Sequence, residues 1–366
     1  MYWAFRVMTV GLLLALALSG CPCGRQKSSY YRDWSRDNAT AVQDLRNLAA
    51  DKNWKIVASS GNGVSVLDLG KAEYQPIYST KNRVRLASSV EHGRVAVIES
   101  AGRGWTKHFL VIVDIGSEKE IPRVEIDDKP GSLLPLPKAV LLRENDVLFP
   151  VGGRLDRYDT ATQQQGIVLE GRALWNVEGV QELGSYLYVT REHYLGGDPE
   201  LLVLDEDRDY ALKARYEGVR NAVFVGGNAF VEREGKIYEF DPDEGVGQLV
   251  TDGVLLGSLG DKGFMYSDAL DPGQSGSLFV HYLQTGESRK LTEFEHLGVP
   301  NLSMDPFVSP QADYVFVCRK GKAVYPGTSR EYYWEVYEAE SGRLVGAFYN
   351  PYLGKWYLSF LLGWSE

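Results

Sequence analysis

A short turn signature recurs along the chain at nearly constant spacing, and it constrains the fold more than any other feature. Each copy follows a run of alternating apolar residues and supplies Asp, Glu, Gln or Gly where the chain must reverse. Counted from Asp68, the steps between equivalent positions are 46, 45, 46, 36, 42 and 55 residues. The copies are Leu67–Gly70, Val113–Gly116, Tyr158–Thr160, Leu204–Asp207, Phe240–Pro242, Leu283–Gly286 and Tyr337–Gly342. This period, with several short strands per unit, predicts an all-β fold, a seven-bladed β-propeller.

The order of turns predicts how each blade is built and how the ring closes. With strands counted from the axis outward, the acidic turn joins the third strand to the fourth. Pairs such as Gly152-Gly153 and Glu234-Gly235 join the second to the third. The first unit, 54–80, supplies only three strands, whereas the apolar segment Trp356–Leu362 has no unit of its own. We therefore expect this C-terminal strand to become the innermost strand of the first blade, which removes an exposed sheet edge.

The N-terminus has the pattern of a secretion signal. Arg6 precedes a short apolar stretch from Val7 to Leu18, which is too brief for a confident membrane span. The following Leu18-Ser19-Gly20-Cys21 resembles the lipobox of bacterial lipoproteins at all four positions. The resemblance implies cleavage before Cys21 and a lipid on its thiol. An ordinary signal peptide that happens to precede a Cys is the alternative.

These patterns divide the chain into three parts. Residues 1–20 are expected to be the lipoprotein signal peptide, 21–53 a lipid-anchored tether with one short helix, and 54–366 the propeller. The helix is predicted between Asp37 and Asp51, because Val42, Leu45, Leu48 and Ala49 fall on one helical face. We expect this face to pack against the propeller rather than to lie in a membrane.

Charge and cysteine content narrow the partner classes. The chain has 39 basic and 49 acidic residues, a net charge of −10, and this surface repels nucleic acid. Only three cysteines occur, so disulfides do not define the fold. Cys318 lies in an apolar run and is expected to be a buried strand thiol. A Cys23–Cys318 bridge is left open, because the sequence does not fix the geometry that it needs.

One unit resembles a known repeat. Leu291-Thr292 and the stretch from Pro306 to Phe316 are similar to the repeat of TolB-like periplasmic propellers, which is related to WD-type repeats. The resemblance implies a propeller in the bacterial cell envelope, at the outer membrane or in the periplasm; it implies a repeat and not a function. The turn Glu340–Val345 resembles that of pyrroloquinoline-quinone propellers, but the Trp of that family does not recur after each turn, so no cofactor is predicted.

The connections between second and third strands predict where a partner binds. They are long in four blades and short in blades one, three and five. Since alternate connections emerge on opposite faces of a propeller, the long ones are expected to share one face, opposite the acidic turns. The long loops carry aromatic and basic residues that we predict to form the contact face: Arg103, Trp105, His108, Arg191, His193, Tyr194, Tyr325 and Arg330.

No catalytic motif or metal-binding spacing stands out in the sequence. The acidic run Asp205–Asp209 lacks the Gly and the closing Glu of a calcium loop, so we interpret it as a solvated turn. We therefore predict a membrane-anchored envelope lipoprotein that binds a protein or glycan partner, without a cofactor and without a firm expectation of enzyme activity. The alternatives are an envelope hydrolase or lyase acting on glycan or peptide at the propeller mouth, and a quinone-cofactor propeller.

Overall fold

The computed structural model describes most of the chain from Ala39 onward. The described residues are 39–102, 107–116, 123–126, 139–151, 153–171, 175–193, 197–269, 275–294, 306–320, 332–348 and 361–365. Cys21 and Cys23, and with them the predicted leader and tether, lie outside these residues. No helix within the described ranges is long and apolar enough to cross a membrane.

The described elements include one α-helix, a 3-10 turn at Glu206–Arg208, and a long series of short strands. The helix and the strands of the first three units are α1 (Ala39–Asp51), β1 (Lys55–Ser60), β2 (Gly63–Asp68), β3 (Glu73–Ser79), β4 (Arg83–Ala87), β5 (Arg94–Ala101), β6 (Lys107–Asp114), β7 (Arg123–Ile126), β8 (Leu141–Leu142), β9 (Asp146–Val151), β10 (Arg154–Asp159) and β11 (Gln164–Leu169). The fourth and fifth units contain β12 (Trp175–Leu183), β13 (Tyr186–His193), β14 (Glu200–Asp205), β15 (Ala211–Glu217), β16 (Val219–Val225), β17 (Asn228–Arg233), β18 (Lys236–Asp241) and β19 (Gly245–Asp252). The remaining strands are β20 (Val254–Ser258), β21 (Gly263–Ser267), β22 (Gly276–Tyr282), β23 (Glu287–Phe294), β24 (Phe307–Val308), β25 (Tyr314–Lys320), β26 (Tyr332–Glu338), β27 (Leu344–Phe348) and β28 (Leu361–Trp364).

These strands form seven antiparallel sheets of four strands each, which confirms the seven-bladed propeller. The first blade has the order β28-β1-β2-β3, so the C-terminal strand is the innermost strand of the first blade, as predicted. Ile56 pairs with Trp364 and Ala58 with Leu361 in this closure. Residues 356–360 of the predicted closing segment lie outside the described residues.

The core is divided among the contacts between neighbouring blades. Seven clusters of buried apolar residues occur, one for each pair of adjacent blades, as expected for sheets that pack face to face around a ring. The cluster between the seventh and first blades contains Trp54 and Trp334, and Trp364 packs against it. The indole Nε1 of Trp364 also donates a hydrogen bond to the Val308 carbonyl oxygen at 2.9 Å. The seam of the ring is therefore fastened by aromatic packing as well as by strand pairing.

Helix α1 covers the outside of this seam. Leu45 and Ala49 are buried, and they pack in the cluster formed by the seventh and first blades, which confirms the predicted packing. The approach is close at Gly346 of β27, where an added Cβ would lie 2.5 Å from the Ala41 carbonyl oxygen and 2.7 Å from the Leu45 Cβ. A glycine is required here because any side chain would meet the helix.

The recurring acidic turns have a common physical basis. The Asp159 carboxylate accepts hydrogen bonds from the backbone amides of Ala161 at 3.0 Å and Thr162 at 2.7 Å. Asp241 binds the amides of Asp243 at 2.7 Å and Glu244 at 3.0 Å in the same way. These backbone hydrogen bonds lower the pKa of both carboxyl groups, since they favour the charged form. An acid recurs at this point because it satisfies the amides of a tight turn.

The innermost strands share a feature that the periodicity did not predict. In five blades this strand carries one extra residue where it pairs with the second strand, and such a β-bulge redirects side chains. The extra residues are Leu362, Arg85, Glu178, Arg220 and Leu256. The leucines are buried, whereas Arg220 is exposed and the other two are half-buried. Three bulges therefore bring polar side chains to strands that line the central channel.

Candidate functional site

The strand ends that the second-to-third connections join lie on one face of the ring, because the strands of each sheet are antiparallel and follow one another from the axis outward. We call this face the loop face, and the opposite face, with the acidic turns, the turn face. Between the paired ends of these strands, the connection is two residues long at 61–62 but spans 102–106 in the second blade, 194–199 in the fourth, 268–275 in the sixth and 321–331 in the seventh. A rigid ring that displays long loops on one face is a common arrangement for recognition.

A fully buried carboxylate lies near the loop-face end of the second blade. Glu99, in β5, is 0% exposed. Its oxygens accept hydrogen bonds from Asn82 Nδ2 at 2.6 Å and Thr80 Oγ1 at 3.2 Å, and also from the Tyr78 hydroxyl and the Arg123 guanidinium. Because these donors come from both the first and the second blade, Glu99 fixes one blade against the next below the loop.

The fourth and seventh blades each contain a glutamate that is paired with an arginine from the neighbouring strand of the same blade. Arg191 and Glu200, at the two ends of the fourth-blade loop, are only 2% exposed and make a buried ion pair with Arg191 Nε 2.9 Å from Glu200 Oε1. In the seventh blade Arg319 Nε lies 2.5 Å from Glu335 Oε2. Buried charges are costly unless they are paired, so these pairs hold the strand ends in one geometry. In three of the four blades with long loops, the strand that precedes the loop therefore carries one residue of a buried ionic contact.

A partly exposed cluster occupies the inner strands of the fourth blade at the loop face. The Trp175 ring contacts His193 edge-to-face with centroids 5.7 Å apart, and the Arg191 guanidinium carbon lies 5.5 Å from the Trp175 ring centroid. Trp175 and His193 are half-buried, so part of each ring reaches solvent. We use the name fourth-blade cluster for this aromatic pair together with Glu178 and Glu192, which lie on the same two strands.

The two glutamates of the fourth-blade cluster influence each other. Glu178 is the extra residue of the β12 bulge, and Glu192 lies near the end of the neighbouring β13. Burial, reinforced by the negative charge of Glu192, raises the pKa of Glu178 to about 7. A carboxyl group with this pKa is present in both protonation states near neutral pH and is able to donate or accept a proton.

The structure places the predicted contact residues in different surroundings. His193 belongs to the fourth-blade cluster. His108 is 7% exposed, with Nδ1 2.8 Å from the Ser100 hydroxyl oxygen. It lies in the second blade, apart from His193 and Arg191 of the fourth blade. His108 and Arg191 were expected on the contact surface, but both side chains are buried within their blades. Trp105, Arg103, Tyr194, Tyr325 and Arg330 lie outside the described residues.

Sequence reasoning missed Trp175, Glu178 and Glu192 because they precede or flank the long loop rather than lie within it. A signal was available in β12, where the apolar positions Val177 and Val180 are three residues apart instead of two. Both side chains join the same buried cluster, so the strand must contain an extra residue between them. A step of three in an otherwise alternating strand therefore indicates a bulge.

Metal binding finds no support in the described residues. Within those ranges, no group of three or more His, Cys, Asp and Glu side chains is arranged to hold a metal ion.

The acidic run Asp205–Asp209 forms the acidic turn of the fourth blade. Asp209 and the following Tyr210 both adopt positive φ, which is the conformation of a tight turn. The site chemistry that remains in the described residues is aromatic, imidazole and carboxylate.

Comparison with known proteins identifies the fold and no family. No protein-family model matches the chain, and no curated protein matches it. A putative 6-phosphogluconolactonase from Bacteroides fragilis superposes with a TM-score of 0.50 at 13% identity, over 80% of this chain and 93% of that one. A puromycin-hydrolyzing peptidase from Mycobacterium tuberculosis also gives 0.50 at 13% identity, over 73% of this chain and 46% of the peptidase. TolB from Acinetobacter baumannii gives 0.48 at 10% identity, over 85% of this chain and 66% of TolB.

These structures have different functions, and their similarity to this chain extends to the propeller fold alone. The chain is therefore a seven-bladed β-propeller, a general module on which sites of many kinds are built.

Proposed function

We propose that this protein is a membrane-anchored cell-envelope lipoprotein whose loop face binds a protein or glycan partner. The observation that carries the binding proposal is the set of buried ionic contacts at the bases of long loops, Glu99, Arg191–Glu200 and Arg319–Glu335. Ordered loop bases reduce the conformational entropy that is lost on binding, and this favours recognition. The envelope location and the lipid on Cys21 are proposed from the lipobox at residues 18–21.

The partner is proposed to contact the exposed parts of the fourth-blade cluster together with the long loops. Trp175 offers an apolar ring with a polar edge, and rings of this kind are frequent at the centres of interfaces. His193 places a hydrogen-bonding imidazole beside it. Trp105, Tyr194, Tyr325, Arg103 and Arg330 remain proposed contacts from the sequence, whereas His108 and Arg191 are assigned a supporting role from within the blades.

The test is capture of the partner from the native envelope by the lipidated protein. We test two variants, His193→Asn alone and Trp105→Ala combined with Tyr194→Ala. Each is expected to reduce capture at least about fivefold without lowering the melting temperature, as for contacts at an interface. His92→Asn is a matched control, because His92 is an exposed histidine on the turn face and asparagine tolerates its φ of +50°. Equal capture by the His193 and His92 variants would argue against the loop face.

A second candidate is a hydrolase or lyase acting on envelope glycan or peptide, and the Glu178–Glu192 pair favours it. A carboxylic acid with a pKa near neutrality beside a second carboxylate is the arrangement used for general acid catalysis of glycoside cleavage. The discriminating measurement is release of new reducing ends or amines from purified envelope glycan. Activity that is present in the unaltered protein and lost in Glu178→Gln would support the enzyme, and partner capture without turnover would support the binding module.

A further inference from the structure

Four charged side chains lie at the loop-face end of the junction between the fourth and fifth blades. Glu178 and Glu192 belong to the fourth blade, and Arg220 and Arg233 belong to the fifth. None of the four forms an ion pair or a hydrogen bond with another of the described residues. By contrast, Glu99 at the loop-face end of the second blade is paired with an arginine. We call the four unpaired side chains the junction charges.

The alternation of buried residues shows where two of the junction charges point. Tyr188 of β13 packs in the cluster between the fourth and fifth blades, and Glu192, four residues later, lies on the same face of the strand. Val231 of β17 packs in the same cluster, so Arg233, two residues later, lies on the face that is turned to the fourth blade. Since both strands end at the loop face, Glu192 and Arg233 lie on facing walls of the junction.

Glu178 and Arg220 extend the two walls to the central channel. Each is the extra residue of a bulge in an innermost strand, so it falls outside the alternation that directs its neighbours toward the adjoining blades. The two strands are held side by side, because Gln181 Nε2 donates a hydrogen bond to the Ala222 carbonyl oxygen at 2.8 Å. Gln181 follows Glu178 by three residues and Ala222 follows Arg220 by two, so the two charges lie at a similar height in the channel wall.

The junction therefore carries carboxylates on one wall and guanidinium groups on the other. Burial and the charge of Glu192 raise the pKa of Glu178, and a cation beside the two carboxylates would relieve their repulsion. A simple anion would be attracted by the arginines but repelled by the glutamates, and a simple cation would meet the reverse problem. A ligand that carries both charges suits both walls, because each end gains charge-assisted hydrogen bonds.

We propose that this junction binds a zwitterionic ligand of amino-acid type. Its ammonium group lies at Glu178 and Glu192, and its carboxylate lies at Arg220 and Arg233. Two sources share this chemistry, a free α-amino acid and a short peptide with both termini unblocked. The site lies on the loop face, but it requires neither the envelope partner nor catalysis. Its failure would therefore leave the proposed capture of a partner intact.

The first test measures binding to the purified full chain by isothermal titration calorimetry. The probes are the dipeptide Ala-Ala, its N-acetyl form, its C-terminal amide and free alanine. We expect Ala-Ala to bind with a Kd below about 1 mM and each blocked form to bind at least about tenfold more weakly. Alanine that binds as tightly as Ala-Ala supports a free amino acid as the ligand, and weaker binding of alanine supports a peptide. Equal binding of the blocked forms, or no binding of Ala-Ala and alanine, overturns the proposal.

Two variants of the protein assign the two ends of the ligand. Arg220→Gln should weaken Ala-Ala at least about tenfold but leave the weak binding of the C-terminal amide unchanged, because the amide lacks the carboxylate. Glu178→Gln should in the same way weaken Ala-Ala and leave the N-acetyl form unchanged. Arg208→Gln is the control, because Arg208 is an exposed arginine on the turn face. An equal loss in the control, or a loss that is the same for blocked and unblocked ligands, overturns the proposal.

Discussion

The buried ion pair at the base of the fourth-blade loop yields the sharpest prediction about stability. Arg191 is 2% exposed, and its guanidinium binds Glu200 through two nitrogens. Replacing Arg191 with Met keeps an unbranched apolar stem but removes the guanidinium and leaves the Glu200 carboxylate buried. The nearest remaining cation is Arg215, whose Nε lies 3.6 Å from Glu200 Oε2 and whose side chain is 34% exposed. This partner is too solvated to replace Arg191 in full.

The expected cost follows from the asymmetry of buried ion pairs. Removing one member strands a charge away from water and costs about 3 kcal/mol, whereas replacing both members with apolar residues is often nearly neutral. We therefore expect Arg191→Met to lower the free energy of unfolding by about 3 kcal/mol, and Glu200→Leu by a similar amount. The double variant should return to within about 1 kcal/mol of the unaltered protein.

Urea unfolding followed by tryptophan fluorescence measures these differences. The four proteins of the double-mutant cycle are compared at one pH and protein concentration, so that the coupling between the two sites is isolated. A loss below about 0.5 kcal/mol for Arg191→Met would refute the argument, because it would mean that Glu200 is adequately solvated without its partner.

Three further predictions concern the closure, the helix and the glutamate pair. Deleting residues 354–366 removes β28 and should leave an aggregating or non-cooperatively melting protein; a soluble truncation with one sharp melting transition contradicts closure. Gly346→Val should destabilise the protein by about 1–3 kcal/mol in urea unfolding because it collides with α1, whereas Gly247→Val should not. Glu178, with its pKa raised to about 7, should contribute stability below about pH 4.5 that is lost as the pH rises through 7. The free energy of unfolding that Glu178→Gln gains over the unaltered protein should therefore be larger at pH 8 than at pH 5, by up to about 3 kcal/mol. An equal effect of the substitution at both pH values would contradict the assigned burial.

The parts of the fold that depend on local chemistry could be predicted from the sequence. The acidic turns follow from hydrogen bonds between an Asp side chain and the next amides, as at Asp159, and these involve residues two or three positions apart. The closure followed from counting strands, since a first unit with three strands needs a fourth. Both arguments use short-range patterns or a simple count, so they survive without knowledge of the packing.

The composition of the loop face was less accessible to sequence reasoning. Arg191 was placed in a loop, yet it lies within β13 and pairs with Glu200, nine residues later. Whether a charged residue near a strand end is exposed depends on a partner that the alternating pattern does not reveal. Glu178 entered the site as the extra residue of a bulge, and a single extra residue alters the direction of every side chain that follows it.

Recognition is proposed on the loop face, and photo-crosslinking tests this placement most directly. One lipidated protein carries a photoreactive phenylalanine analogue at His193 on the loop face, and a matched protein carries it at Asp207, which is exposed on the turn face. After irradiation in the native envelope, we expect one dominant crosslinked partner from position 193 and none from position 207. The same partner crosslinked from position 207, with none from position 193, would contradict the assignment.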